Sequence, residues 1–282
     1  MNKTFWLLFL ALTTTAFGQN KEKEIFVKFI DQPILIDGDL SENIWEEAFE
    51  TADFQQYFPS DSVIAKQKTS IKMLYDQVNL YLGVKVFTSG NDFVIPSLQR
   101  DFRAGNNDNI SFIFDTFNDG TNAFLFGINP LGVRREALIS NGGSSRDGFS
   151  TSWDVKWQGE TKIYDRYYTI EMAIPLTSMK FKEGETKWRF NSYRFDMQEN
   201  ETSTYSKIPQ NQLIFNLAFM EDMVFENPLG KSRTPIALIP YVNGISQRDF
   251  TILDSDAQYK IGGDAKLAIG NGMNLDLTLN PD

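Results

Sequence analysis

Apolar side chains recur at every second position through most of this chain, the period that a strand with one buried face requires. Val78, Leu80, Leu82, Val84 and Val86 alternate with Asn79, Tyr81, Gly83 and Lys85. Tyr168, Ile170, Met172 and Ile174 alternate with Thr169, Glu171 and Ala173, and Pro175 ends the run. The runs Ile110–Asp115 and Ala123–Ile128 are joined through Asn118-Asp119-Gly120, and Asp-Gly between apolar runs is a hairpin signal. Leu213, Phe215, Leu217 and Phe219 predict one more half-buried strand. Many short strands between turn clusters imply an all-β sandwich or barrel. Helical spacing stands out over 39–49. There Asp39 and Glu42 have capping-box spacing, and Leu40, Ile44, Trp45, Ala48 and Phe49 form one apolar face.

Composition then narrows the chemistry. The 282 residues include no His and no Cys. That removes Ser-His-Asp triads, cysteine nucleophiles, His or Cys zinc sites and disulfides. A formal net charge of -10 makes nucleic acid an unfavourable partner. Glycoside hydrolysis needs only two carboxylates, but with 37 acidic residues any chosen pair is uninformative. Neither a phosphate-binding loop of the G-x-x-x-x-G-K type nor a G-x-S-x-G elbow occurs. The segment is therefore expected to be non-catalytic.

The first residues read as an address. Lys3, the apolar run Phe5–Leu12 and the small residues of Ala16-Phe17-Gly18 make residues 1–18 a signal peptide, cut after Gly18. The run is too short to span a bilayer as a helix. The expected location is outside the inner membrane: periplasm, outer membrane or cell surface. A first domain is expected over 19–226, ending near Glu226-Asn227-Pro228-Leu229-Gly230. Residues 227–282 then hold Ile236–Tyr241, Tyr259–Ile269 and Met273–Asn280, which read as the first strands of a second β domain.

Five stretches carry a resemblance. They are Ile36-Asp37-Gly38-Asp39-Leu40-Ser41-Glu42-Asn43-Ile44-Trp45; Met73-Leu74-Tyr75-Asp76 with Leu80–Val84; Asp108–Asp115; Tyr168–Pro175; and Trp188–Arg194. In this order, over roughly residues 25 to 225, they resemble family 9 carbohydrate-binding modules. The resemblance implies an antiparallel β-sandwich, with one short N-terminal helix here, and a polysaccharide or oligosaccharide partner. It also implies a sugar clamp of tryptophan, glutamate and arginine, from which this chain departs. No tryptophan stands in Arg103–Asp108, the glutamate position falls on Ser111, and the arginine position falls near Gly127. The tail, Gly263–Leu267 with Leu275–Asp282, resembles the start of a larger domain in Bacteroidetes-type surface proteins, whose strands look like those of an outer-membrane β-barrel.

A sugar site wants an aromatic plane beside amides, carboxylates or arginine. Trp153 and Trp157 are four apart, so on one strand they share a face, with Asp154 on the other. Either they form a platform or they belong to the core. Tyr205 is a second candidate plane in a polar loop, and Asn191 and Arg194 are candidate polar contacts. Arg194 is equally a candidate for a buried ion pair. Without His or Cys only oxygen-bound cations remain. Asp115, Asn118 and Asp119 are the candidate ligands of a structural Ca2+, as some relatives carry; the alternative is a simple tight turn. The expected function is a non-catalytic carbohydrate-binding module. The alternatives are a structural or docking domain of an outer-membrane barrel protein without a sugar ligand, which the missing clamp favours, and an accessory module of a glycoside hydrolase.

Overall fold

The computed structural model describes residues 24–51, 53–230, 236–249, 254–269 and 273–280. The leader over 1–18 lies outside the described residues. The larger part is built from β1 (Glu24–Phe29), β2 (Gln55–Phe58), β3 (Thr69–Tyr75), β4 (Asn79–Phe87), β5 (Asn109–Asp115), β6 (Ala123–Ile128), β7 (Arg134–Ile139), β8 (Phe149–Ser150), β9 (Gln158–Tyr164), β10 (Tyr167–Pro175), β11 (Lys187–Asp196), β12 (Glu201–Thr204) and β13 (Glu221–Phe225). One sheet runs β8-β7-β6-β5-β11-β13, with β12 and β2 attached beside β11; the other runs β3-β4-β10-β9. Strand β1 belongs to both. Glu24–Val27 pairs in parallel with β13, and Lys28–Phe29 pairs in parallel with β3. The expected sandwich is therefore mixed rather than antiparallel throughout.

The period-two residues explain the layers. Leu80, Leu82, Val84 and Val86 of β4 and Ile170, Met172 and Ile174 of β10 meet Ile110, Phe112, Phe114, Trp188 and Phe190 between the sheets. Each such side chain contributes about 1.5–3 kcal/mol when fully buried. Both outer faces are covered as well. Outside β5, β6, β7 and β11, Ile113, Leu125, Ile139 and Tyr193 pack beneath Leu217 and Met220. The strand expected over 213–219 is absent. Asn216 accepts from the Ala218 N–H through its side chain and opens a 3-10 turn over Leu217–Phe219. These apolar residues bury themselves as a cover on an existing sheet rather than as a new strand.

The helix expected from 39–49 is also corrected. It is a single 3-10 turn over Asn43–Glu47, with Glu42 at the N-cap and no side-chain cap. Asp39 does not cap because its carboxylate accepts from Lys162 Nζ at 2.6 Å and the Tyr164 hydroxyl at 2.7 Å. Trp45 and Ala48 pack with Ile30 and Ile34 on the outer side of Leu74, Tyr81 and Ala173, while Phe49 stays exposed. Gly83 makes room for this cover, since a Cβ there would lie 2.9 Å from the Trp45 ring.

One buried carboxylate fastens the cover. Glu171 Oε2 accepts from the N–H groups of Asp37 and Gly38 at 3.0 Å each, and Oε1 accepts from Trp45 Nε1 at 2.9 Å. Glu171 is fully buried, and that burial pushes its pKa from 4.5 up to about 7 despite these donors. The folded state thus holds the proton more tightly than the unfolded state. This group's contribution to stability is complete below about pH 4.5 and is lost as pH rises through about 7. Glu171→Gln is expected to remove that slope, on the order of 3 kcal/mol in total. Urea unfolding of wild type and variant across this pH range measures the difference.

The remaining strands, β14 (Ile236–Asp249), β15 (Asp254–Ile269) and β16 (Met273–Leu279), form a separate three-stranded antiparallel sheet. Its register places Val242 opposite Ile261, Ala265 opposite Leu277, and Gly263 opposite Leu279. One face therefore carries Leu238, Val242, Tyr259, Ile261, Leu275, Leu277 and Leu279, all exposed. The opposite face carries Tyr241, Asn243, Asp264, Asp276 and Thr278.

Candidate functional site

Three consecutive charged residues on β7 organise the site. Arg134 and Glu136 share one face of the strand, and Arg135 takes the other. Glu136 is fully buried. Its Oε2 accepts from Trp157 Nε1 at 3.1 Å, and its Oε1 is paired with the Arg100 guanidinium. Burial raises the Glu136 pKa ahead of the opposing pull of Arg100 and the Trp157 indole. Arg134 donates to the Trp157 carbonyl at 2.6 Å and lies 5.6 Å from the centre of its ring. Arg100 also reaches Asp154 at 3.0 Å. This network ties the loop around Arg100 and the segment 151–157 to one edge of the sandwich.

That segment is not the strand its spacing predicts; residues 151–157 run without strand pairing. Trp157 turns inward and is 2 % exposed. Trp153 is half-buried, with ring centres 5.2 Å from Phe124 and 5.7 Å from Phe126. Asp154 beside it is open to solvent. The structure therefore brings Trp153, Asp154 and Trp157 together with Arg100 and Glu136, but assigns them different tasks. Trp157 anchors, while Trp153 and Asp154 reach the surface.

The other expected contacts lie elsewhere and are buried. Tyr205 is 2 % exposed, between Phe54 and Phe190 at 6.0 Å each, and burial pushes its hydroxyl above the usual tyrosine range. It is not a stacking plane open to solvent, because its loop is covered rather than polar-exposed. Asn191 Oδ1 accepts from the N–H groups of Ser192 and Ser206, and its Nδ2 donates to the Phe219 carbonyl. It pins the 205–219 cover to β11. Arg194 forms a buried ion pair with Asp196 at 2.6 Å and donates to Thr69 Oγ1 at 3.2 Å. Asp115 accepts from the N–H groups of Asp119 and Gly120, and Asp119 from that of Thr121. Asn118 and Gly120 have φ of 55° and 67°. This is the geometry of the tight-turn alternative. Among the described residues no group of three or more acidic side chains is placed to hold a metal.

On the outer face of the same sheet, Tyr193, Ser111, Gly127 and Arg135 stand in register across β11, β5, β6 and β7. Arg135 lies across Gly127, donates to the Tyr193 hydroxyl at 3.3 Å, and has the rings of Phe102 and Phe149 within 6 Å of its guanidinium. It is 4 % exposed, and its Nε has no hydrogen-bond partner. The row is closed to solvent by Phe102 and Phe149. Sequence reasoning missed Arg135, Glu136 and Arg100. The available signal was Gly127, a glycine inside a strand, which marks a close approach. Its Cβ would lie 2.6 Å from Ser111 Oγ and 2.8 Å from Arg135 Cγ.

No family model and no curated protein matches the chain. Solved structures do. A family 9 carbohydrate-binding module from Caldicellulosiruptor kristjanssonii in complex with cellotriose aligns at TM-score 0.53 and 15 % identity, over 76 % of this chain and 100 % of that one. The fold is that of family 9 carbohydrate-binding modules. A module of the same family and organism in complex with glucose aligns at TM-score 0.50 and 17 % identity, over 74 % of this chain and 97 % of that one. A protein from Bacteroides uniformis, described as carbohydrate-binding, aligns at TM-score 0.59 and 14 % identity, over 73 % of this chain and 100 % of that one.

Gly127→Ala is expected to displace Arg135 and to destabilise the protein by about 1–3 kcal/mol, as overpacking does. Removing the opposing hydroxyl as well, in a Gly127→Ala/Ser111→Ala variant, is expected to recover part of that loss. The shift of the denaturation midpoint measures both.

Proposed function

We propose that this chain is a non-catalytic saccharide-binding module of an exported surface protein, and that Trp153 is its stacking plane. The observation that carries this reading is the surface at the β7 edge. There a half-buried tryptophan is braced by Phe124 and Phe126 beside the ion pair of Asp154 and Arg100. An indole braced on one side stacks on a sugar ring with little loss of side-chain freedom, and neighbouring charges hydrogen-bond its hydroxyls. The likeness to modules bound to cellotriose and glucose supports saccharide as the ligand class. Calorimetric titration of the full chain with glucose, cellotriose and a panel of plant and microbial saccharides tests it. Trp153→Ala is expected to weaken the best ligand about tenfold, the scale of one aromatic stacking contact. Absence of binding across the panel, or full affinity in the variant, overturns the reading.

We further propose that the three-stranded sheet attaches the protein to the outer membrane. Its support is that seven exposed apolar residues share one face, while the other carries Asp264, Asp276 and Thr278 with Ile239. Lipid-facing strands of outer-membrane barrels show this alternation. The full chain is expected to float with phospholipid vesicles. Val242→Arg with Leu277→Arg is expected to abolish flotation, since an Arg on a lipid-facing strand costs about 2–4 kcal/mol at mid-depth. Equal flotation of variant and wild type would sink the proposal.

A further inference from the structure

Arg100 is held between two carboxylates, one buried and one open to solvent. Its Nε donates to Glu136 Oε1 at 3.1 Å, and its Nη2 meets the same oxygen. Glu136 is fully buried and has no water to exchange for this partner. Nη2 also donates to Asp154 Oδ1 at 3.0 Å and to the Val155 carbonyl at 3.1 Å. An arginine presents donors on Nε, Nη1 and Nη2 in one rigid plane. Here Nε and Nη2 are engaged, while Nη1 makes no hydrogen bond among the described residues.

Both open groups are reachable. The Arg100 side chain is 40 % exposed and that of Asp154 is 75 % exposed. Asp154 engages Oδ1, and Oδ2 accepts nothing among the described residues. Beside the Trp153 ring there is therefore a donor, Nη1, and an acceptor, Oδ2, on groups already joined at 3.0 Å. A surface arginine ordinarily loses side-chain freedom when it takes a ligand, and this one is already held by Glu136 before a ligand arrives. A pyranose stacked on an indole by its C–H face turns its equatorial hydroxyls outward around the ring edge. Of two neighbouring hydroxyls, one can accept from Nη1 while the other donates to Oδ2. A lone hydroxyl satisfies only one of them.

We infer that Arg100 and Asp154 are the specificity-determining residues of the Trp153 surface, reading a vicinal diol of the bound saccharide, and that Glu136 is the positioning residue that aims Arg100. This inference rests on the saccharide reading of that surface and adds selectivity to it. Stacking on Trp153 accepts any apolar ring face, whereas the paired donor and acceptor accept only a ring with adjacent hydroxyls.

Calorimetric titration of the full chain with methyl β-glucopyranoside and its 3-deoxy analogue tests this. With the anomeric oxygen blocked, every vicinal diol of the ring includes the hydroxyl on the third carbon, so the analogue has none. The glucoside is expected to bind about tenfold more tightly, the scale of a hydrogen bond to a charged group. Asp154→Ala, a change at a solvent-open side chain, and Arg100→Lys, which keeps the charge but not Nη1, are each expected to abolish that preference. Glu136→Gln is expected to shrink it as well, whereas a merely structural loss would weaken both glycosides equally and leave their ratio unchanged. Trp153→Ala is expected to weaken both. Equal wild-type affinity for the two glycosides, or a preference that survives Asp154→Ala, overturns the diol inference; the saccharide reading stands if both glycosides still lose affinity in Trp153→Ala. A preference intact in Glu136→Gln removes the positioning role. Binding of neither glycoside overturns the inference, and the saccharide reading falls with it if the wider panel also fails to bind.

Discussion

Backbone hydrogen bonds of one strand hold the two sheets together. With its first half β1 continues the sheet that ends in β13, and with its second half it starts the sheet that begins with β3. A chain without cysteine has no disulfide between layers. Here the tie is a strand that changes sheets, and the apolar side chains on either side of it close the core. The parallel pairing follows from the same constraint. Strand β1 comes first among the described strands and lies between β3 and β13, both of which run in its direction.

Buried carboxylates then lock the loops onto this frame, and the two fasteners share one design. Glu171 takes the Trp45 indole N–H and holds the cover of one sheet; Glu136 takes the Trp157 indole N–H and holds the edge segment of the other. Each is a fully buried acid whose burial raises its pKa. Leaving such a group without its donors is more destabilising than the net worth of the contact, because the desolvated oxygens have no water to return to. The fasteners therefore decide which aromatic side chains stay at the surface. Trp45 and Trp157 are drawn in. Trp153, four residues from an anchored tryptophan, stays at the rim beside Asp154. Gly83 and Gly127 play matching parts, each leaving space that a neighbouring long side chain fills.

The architecture was legible from residue spacing. Alternation in 78–86 and 168–174 became strands β4 and β10 with Leu80, Leu82, Val84, Val86, Tyr168, Ile170, Met172 and Ile174 facing inward and Val78 left exposed before β4, and the runs 110–115 and 123–128 became β5 and β6. The Asp119-Gly120 signal sits in the turn between β5 and β6. Alternation misled where a third layer intervenes. Leu213 to Phe219 has strand spacing but lies over an existing sheet, and Glu171 has the position of an outward polar residue but is sealed beneath Trp45. A period reports that one face is buried, not what buries it.

Sequence alone determined that this chain makes a β-sandwich and that it has no thiol or imidazole chemistry, which leaves its indoles, amides, carboxylates and cations to make any site. Tertiary structure decided which of them are available. Tyr205, Asn191 and Arg194 became interior, and Trp153 and Asp154 remained at the edge. Arg100, Glu136 and Asp154, far apart along the chain, came to share one ion-pair network. The physical reason is the range of the forces involved. Strand spacing is a local pattern set by the alternation of side chains along the backbone. The fate of a polar or aromatic group depends on desolvation and on partners that the fold brings from a hundred residues away.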